Sequence, residues 1–144
     1  MLILPAASIM ADRLLTGLPL GWVLIGRWFV FWAVGIRLFI AGIRQVTKPA
    51  FTAKEIFNFS GEESFPVIRE LGFSNISLGL LGIISLFKVQ WCEAAAIAGG
   101  LYYGLAGILH VFKKPGSTNE VIAMVSDLGI FVLLAFYLFF TLLA

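Results

Sequence analysis

Four stretches of the chain, about 20–43, 66–87, 91–112 and 118–143, are apolar almost throughout, and most of the polar residues gather between them. A helix needs about 20 mostly apolar residues to cross a bilayer, so the pattern predicts four transmembrane helices. They occupy most of the chain and leave no room for a soluble domain. The expected fold is all-α: a single polytopic membrane domain over 1–144, folded as an antiparallel four-helix bundle.

The segments between the runs predict shorter elements. Residues 3–17 read as a short helix at the membrane interface or folded against the bundle, bounded by Pro5 and Pro19. Met1 to Met10 lacks a basic start and a small-residue cleavage site, so a removable signal peptide is not expected. Thr52 and Glu55 stand at capping-box spacing, with Phe51 and Ile56 placed to staple across them, which predicts an interfacial helix over 53–59. Pro115-Gly116 followed by Ser117 and Glu120 predicts the start of the fourth helix. The links between helices two and three and between three and four are short, which makes each pair an antiparallel hairpin.

Composition strengthens the membrane reading. Of 144 residues, 60% are hydrophobic and 12% charged, with mean hydropathy +1.01, whereas a soluble domain carries roughly 25% charged residues. Ten Lys and Arg against eight Asp and Glu leave no basic surplus to suggest nucleic acid. Cys92 is the only cysteine, which excludes an internal disulfide and any metal cage built of cysteines from one chain. Arg44, Lys48, Lys54, Lys113 and Lys114 border one side of the spans and only Arg13 and Lys88 the other. The positive-inside rule then puts both termini outside and the two longer loops in the cytoplasm.

With that topology, a few polar residues fall within the spans. An ionisable side chain at bilayer depth costs at least ~2.5–3.5 kcal/mol, so it usually faces a bundle interior or a wet cavity. Arg37, Arg69, Glu70, His110 and Asp127 all lie in the predicted cytoplasmic half, with Asn75 about 13 Å in at ~1.5 Å per residue. Seams at alternating spacings of three and four contain most of them. Helix one gives Arg27, Val34, Arg37 and Arg44; helix two gives Gly72, Asn75, Gly79 and Gly82. Helix three gives Gly100, Tyr103, Gly107 and His110, and helix four gives Glu120, Asp127 and Leu134. Gly104 adds a small-residue pair with Gly100 on an adjacent face. These glycines let helices approach closely where lipid supplies no hydrophobic drive for association.

The candidate polar layer is therefore Arg37, Arg69, Glu70, Asn75, Tyr103, His110 and Asp127. Two guanidinium groups against two carboxylates make it charge-balanced. One reading is a structural ion-pair network that fixes helix register. The other is a cytoplasm-facing pocket for an anionic or quinone-like molecule, with Arg37 and Arg69 as anion donors and His110 or Asp127 exchanging a proton. His110 is the only histidine, so no metal site is predicted, and no catalytic residue is assigned: H-E-x-x-H, G-x-S-x-G and P-loop patterns are absent.

The stretches 69–82 (RELGFSNISLGLLG), 99–110 (GGLYYGLAGILH) and 119–127 (NEVIAMVSD) together resemble a prokaryotic family of small four-helix membrane proteins of unknown function. More loosely, the Arg-x-x-Gly start of helix two resembles DoxX-type proteins. The likeness covers about residues 44–140. It implies a bundle with Arg69, Glu70, Asn75, Tyr103, His110 and Asp127 as its marked positions, in a prokaryotic cytoplasmic membrane. Through DoxX relatives, it implies a place beside quinone-linked redox complexes, by analogy alone.

Three functions follow as expectations. The first is a non-catalytic accessory subunit or scaffold, working as a homo-oligomer or in a larger membrane complex, with membrane lipids and no nucleic acid as partners. Aromatic residues such as Trp28, Trp32, Phe136 and Tyr137 would supply its contacts with lipid, pigment or neighbouring helices. The second is binding of a quinone-like or anionic molecule in the polar layer; no cofactor is otherwise expected beyond quinone or lipid. The third is an oligomeric channel or transporter.

Overall fold

The computed structural model describes residues 2–57 and 59–142, and among these no strand occurs. Helix α1 covers Ile3–Thr16, α2 Trp22–Phe29, α3 Leu38–Thr47 and α4 Pro49–Glu55. A π-helical segment, Val30–Arg37, joins α2 to α3 without interruption. Helices α5 Phe65–Ile84, α6 Cys92–Lys113 and α7 Thr118–Leu142 complete the fold, with single 3₁₀ turns at Glu62–Ser64 and Val89–Trp91. Four helical stretches are long and apolar enough to cross a membrane: Trp22–Thr47, Glu62–Ile84, Val89–Lys113 and Thr118–Leu142. The protein is an all-α, multi-pass membrane protein.

The spans stop where local chemistry stops them. Gly17 takes a left-handed conformation (φ 71°) and its N–H bonds the Arg13 carbonyl at 2.9 Å, closing α1. The first span runs on to Thr47, beyond the expected end near 43. It ends because Lys48 precedes Pro49 and is pushed out of the helical region, to φ −135° and ψ 64°. Pro49 then opens α4, so this helix begins earlier than the expected 53–59; Thr52 is buried within it rather than capping it. Proline at the first helical position outweighs the Thr52–Glu55 signal because its φ is already set and its missing N–H costs nothing there. Phe51 lies under Arg44, whose Cζ is 3.7 Å from the ring centroid. Residue 58, inside the expected 53–59 segment, and residue 143, inside the expected fourth span, lie outside the described residues.

Helix α7 starts as its capping residues dictate. Ser117 Oγ accepts the Glu120 N–H at 3.2 Å, and the Glu120 carboxylate accepts the Gly116 N–H at 2.7 Å, one residue before the usual capping-box partner.

Packing follows the glycines. A Cβ added at Gly82 would strike the backbone of Gly35; at Gly79 it would lie 2.5 Å from Phe39 N, and at Gly42 2.6 Å from the Gly72 carbonyl oxygen. The partners run in opposite order along the two helices, so the first span and α5 are antiparallel with their backbones nearly touching. Helices α6 and α7 form a second antiparallel pair, with Gly104 against Phe131 and Gly107 against Leu128. The pairs join where Val34 fills the surface over Gly99 and Tyr137 that over Gly26. Between them lies the apolar core of Val30, Ala33, Val34, Leu38, Ala96, Tyr103 and Leu134.

Helix α1 is docked rather than free. Trp28 Nε1 donates to Asp12 Oδ2 and Trp32 Nε1 to Ser8 Oγ, each at 2.9 Å. Two residues one turn apart on each helix meet in reverse order, which sets α1 antiparallel to the first span. Its outer face, Ile3, Met10, Leu14 and Leu15, is apolar and exposed.

Candidate functional site

The π segment is where the interior chemistry converges. Its wider turns are uncommon and concentrate at functional or strained positions. Val30 and Val34 within it, and Leu38 one residue beyond, are buried at successive spacings of four, and Gly35 faces α5. Arg37, the last residue of the segment, reaches across to α7. Its Nη2 donates to Asp127 Oδ1 at 2.6 Å and to Ser126 Oγ at 3.0 Å. The guanidinium also stands over the Tyr103 ring, 4.8 Å from its centroid, a favourable cation–π placement. Tyr103 donates its hydroxyl proton to the Ala33 carbonyl at 2.5 Å, back in the π segment. Three spans are thereby tied together through one ion pair, one ring and one backbone carbonyl.

A second polar contact lies one layer away. Asn75 on α5, 1% exposed, donates through Nδ2 to Gln45 Oε1 on α3 at 2.8 Å. Arg27 Nε, Arg37 Nη1 and Asn75 Oδ1 are enclosed with no hydrogen-bond partner among the described residues.

The expected layer is therefore assembled only in part. Arg37, Tyr103 and Asp127 meet, and Asn75 is buried beside Gln45. Arg69 and Glu70 do not join them: both are exposed on α5, while the buried face of that helix holds Ile68, Gly72 and Asn75. Arg69 and Glu70 lie in the second turn of α5, near enough to the end of the span for a long charged side chain to extend its stem to the headgroup region, so nothing compels them inward. His110 is half-buried near the end of α6. Of the aromatics expected to contact lipid, pigment or neighbouring helices, Tyr137 is a core residue, and Trp28 and Trp32 bond to α1.

Several participants escaped the sequence reading. Gln45 continues the buried line of Leu38 and Gly42 at spacings of four and three, a signal present but truncated by the expected helix end. Ser126 is adjacent to Asp127. Asp12 pairs with Arg27, Nη1 to Oδ2 at 3.5 Å; its signal was the Ser8–Asp12 spacing matched to Trp28–Trp32. Among the described residues, no three His, Cys, Asp or Glu side chains gather where they could hold a metal ion.

Residues 22–143 match the model of a family of unknown function, DUF6790. The chain belongs to the DUF6790 family. The match begins at the first residue of α2 and takes in all four spans, with Arg37, Asn75, Tyr103, His110 and Asp127 inside it. Helix α1 lies before the part shared with the DUF6790 model, so the Asp12–Arg27 pair links a segment outside the match to one within it. No curated protein and no solved structure matches the chain.

Proposed function

We propose that this DUF6790 protein is a small non-catalytic membrane subunit, packing with copies of itself or within a larger complex of a prokaryotic cytoplasmic membrane. The observation that carries this reading is that the charged groups of its centre are engaged by one another. Asp127 is bonded by Arg37, Ser126 shares the same guanidinium nitrogen, and Tyr103 is engaged by both Arg37 and Ala33. Such a centre fixes helix register. The outer surface supports the same reading. Helix α7 is the most apolar of the four spans and the least buried within the molecule. Gly129 on that face has nothing within 4 Å of an added Cβ, so a neighbouring helix can approach closely there. The looser likeness to DoxX-type proteins adds an analogy to subunits of redox complexes.

The clustering of Arg44, Lys48, Lys54, Lys113 and Lys114 at one end supports a cytoplasmic location for that end and an outside location for both termini. Lys113 Nζ donates to the Phe57 carbonyl at 3.2 Å, which brings the two basic loops to the same side. Native mass spectrometry of protein extracted in mild detergent tests the subunit reading. A homo-oligomer or a stoichiometric co-purifying protein is the expected result; a lone monomer with no partner overturns it.

A second reading is the binding of a quinone-like or anionic molecule at the polar centre, favoured by the enclosed and unpartnered Arg37 Nη1 and Asn75 Oδ1. Its test is ligand retention by Asp127→Asn, which this reading expects to fall and the subunit reading expects to be absent from the start.

A further inference from the structure

At the end of the bundle opposite Arg44 and Lys113, the 17–21 turn and the adjoining ends of α2, α6 and α7 enclose a cleft of about 590 Å³. That size lies within the ~300–1,000 Å³ usual for ligand pockets. Its charged groups are one guanidinium, Arg27, and one carboxylate, Glu93. Part of its wall is aromatic: Trp22 stacks on Phe140 with centroids 4.9 Å apart and planes 8° from parallel. Val23 and Phe140 are exposed at its rim, so the cleft opens sideways onto the apolar surface that lipid covers.

Arg27 is only loosely engaged by the protein. Nη2 donates to the Leu86 carbonyl at 3.4 Å and Nη1 lies 3.5 Å from Asp12, both long beside the ~2.7–2.9 Å of a good charge-assisted bond. The Arg27 side chain keeps 30% of its surface exposed. Glu93 is exposed and makes no side-chain hydrogen bond among the described residues.

We infer that this cleft binds one phospholipid whose headgroup carries both a phosphate and a primary ammonium, the phosphoethanolamine type. The cleft lies at the ends of the spans, at the level of headgroups, and Trp22 suits that depth. The planar fork of Arg27 takes the phosphate oxygens. Glu93 takes the ammonium, which has three protons to donate; a trimethylated choline has none. A phosphoglycerol headgroup brings a net negative charge toward Glu93 and Asp12 with no cation in return. The first carbons of the acyl chains lie over the Trp22–Phe140 stack and leave past Val23. This proposal concerns a different end of the molecule from the Arg37–Asp127 centre and does not depend on the subunit reading.

The test is native mass spectrometry of the full chain in mild detergent, titrated with lipids of identical acyl chains bearing phosphoethanolamine, phosphocholine or phosphoglycerol headgroups. The wild type should retain one phosphoethanolamine lipid with a preference of roughly three- to fivefold over phosphocholine, the scale of a partly exposed ion pair. Glu93→Gln, which removes no side-chain hydrogen bond or ion pair among the described residues, should abolish that preference. Trp22→Leu should weaken retention of all three lipids. Equal retention of the first two lipids by the wild type overturns the proposal, as do strongest retention of phosphoglycerol, a preference that survives Glu93→Gln, and retention unaffected by Trp22→Leu.

Discussion

Arg37 and Asp127 lie ninety positions apart in the chain and 2.6 Å apart in the fold, joining the π segment of the first span to the middle of α7. The carboxylate is nearly enclosed, with 9% of its side-chain surface exposed against 25% for the arginine. A pair so placed matters less for the energy it adds than for the cost of leaving either partner alone.

Arg37→Ala should therefore destabilise the protein by about 3–5 kcal/mol, because it leaves the Asp127 carboxylate enclosed without its cation. The double variant Arg37→Met with Asp127→Leu should recover most of that loss. Reversible unfolding in mixed micelles, followed by circular dichroism, measures both; equal losses in the single and double variants would contradict the assignment.

The helical glycines divide into crowded and open positions, Gly79 of α5 against the first span and Gly129 on the outer face of α7. Gly79→Leu drives a side chain into the backbone of Phe39, and overpacking of this kind costs about 1–3 kcal/mol or more. Gly129→Ala meets nothing within 4 Å and should be neutral or stabilising by up to about 1 kcal/mol, the helix-propensity gain of alanine over glycine. Thermal unfolding of the two variants side by side should show a lowered midpoint for Gly79→Leu and an unchanged or raised one for Gly129→Ala.

Tyr103→Phe removes the hydroxyl that bonds the Ala33 carbonyl while keeping the ring under Arg37. The expected loss is about 0.5–1.5 kcal/mol for a single neutral hydrogen bond. Amide exchange should rise in the Val30–Arg37 segment specifically; a uniform rise along the first span would mean that the bond does not act locally.

Helix α1 should loosen when its polar anchors go. Asp12→Ala removes the acceptor of Trp28 and the partner of Arg27, and faster proteolysis within Ile3–Thr16 is expected with α5 to α7 unaffected. Trp32→Phe, which loses the bond to Ser8, should act in the same direction and more weakly.

Glu120→Ala and Ser117→Ala each remove one half of the cap on α7. Each should cost about 0.5–2 kcal/mol, and the double variant should cost less than the sum because the two bonds support one turn. Additive losses would show that the two bonds act independently.

Hydropathy made the four spans legible, since crossing a bilayer leaves no alternative for twenty apolar residues in a row. The glycines at 72, 79, 82 and 107 could be placed on interior faces because a helix that must pack closely needs small residues at regular spacing. Arg37, Tyr103 and Asp127 could be named for a related reason: far from the span ends, a polar side chain must find a partner. The same rule fails near the ends. Arg69 and Glu70 can reach water from the second turn of α5, so their presence in an apolar run carried no information about facing. A short helix over 3–17 was legible, as α1 shows, but its docking was not, since Ser8 and Asp12 acquire meaning only opposite the indoles of Trp28 and Trp32.

By itself, then, the sequence determined that this is a four-span helical membrane protein, where its glycine seams lie and which deep polar residues need partners. Only the tertiary structure decided that Arg37 binds Asp127 rather than Glu70, that Gln45 serves Asn75, and that α1 lies along the first span. The physical reason is rotation about the helix axis. Composition fixes how deep a residue sits, but its direction depends on how each helix turns against its neighbours, and the π segment changes that turn midway along the first span.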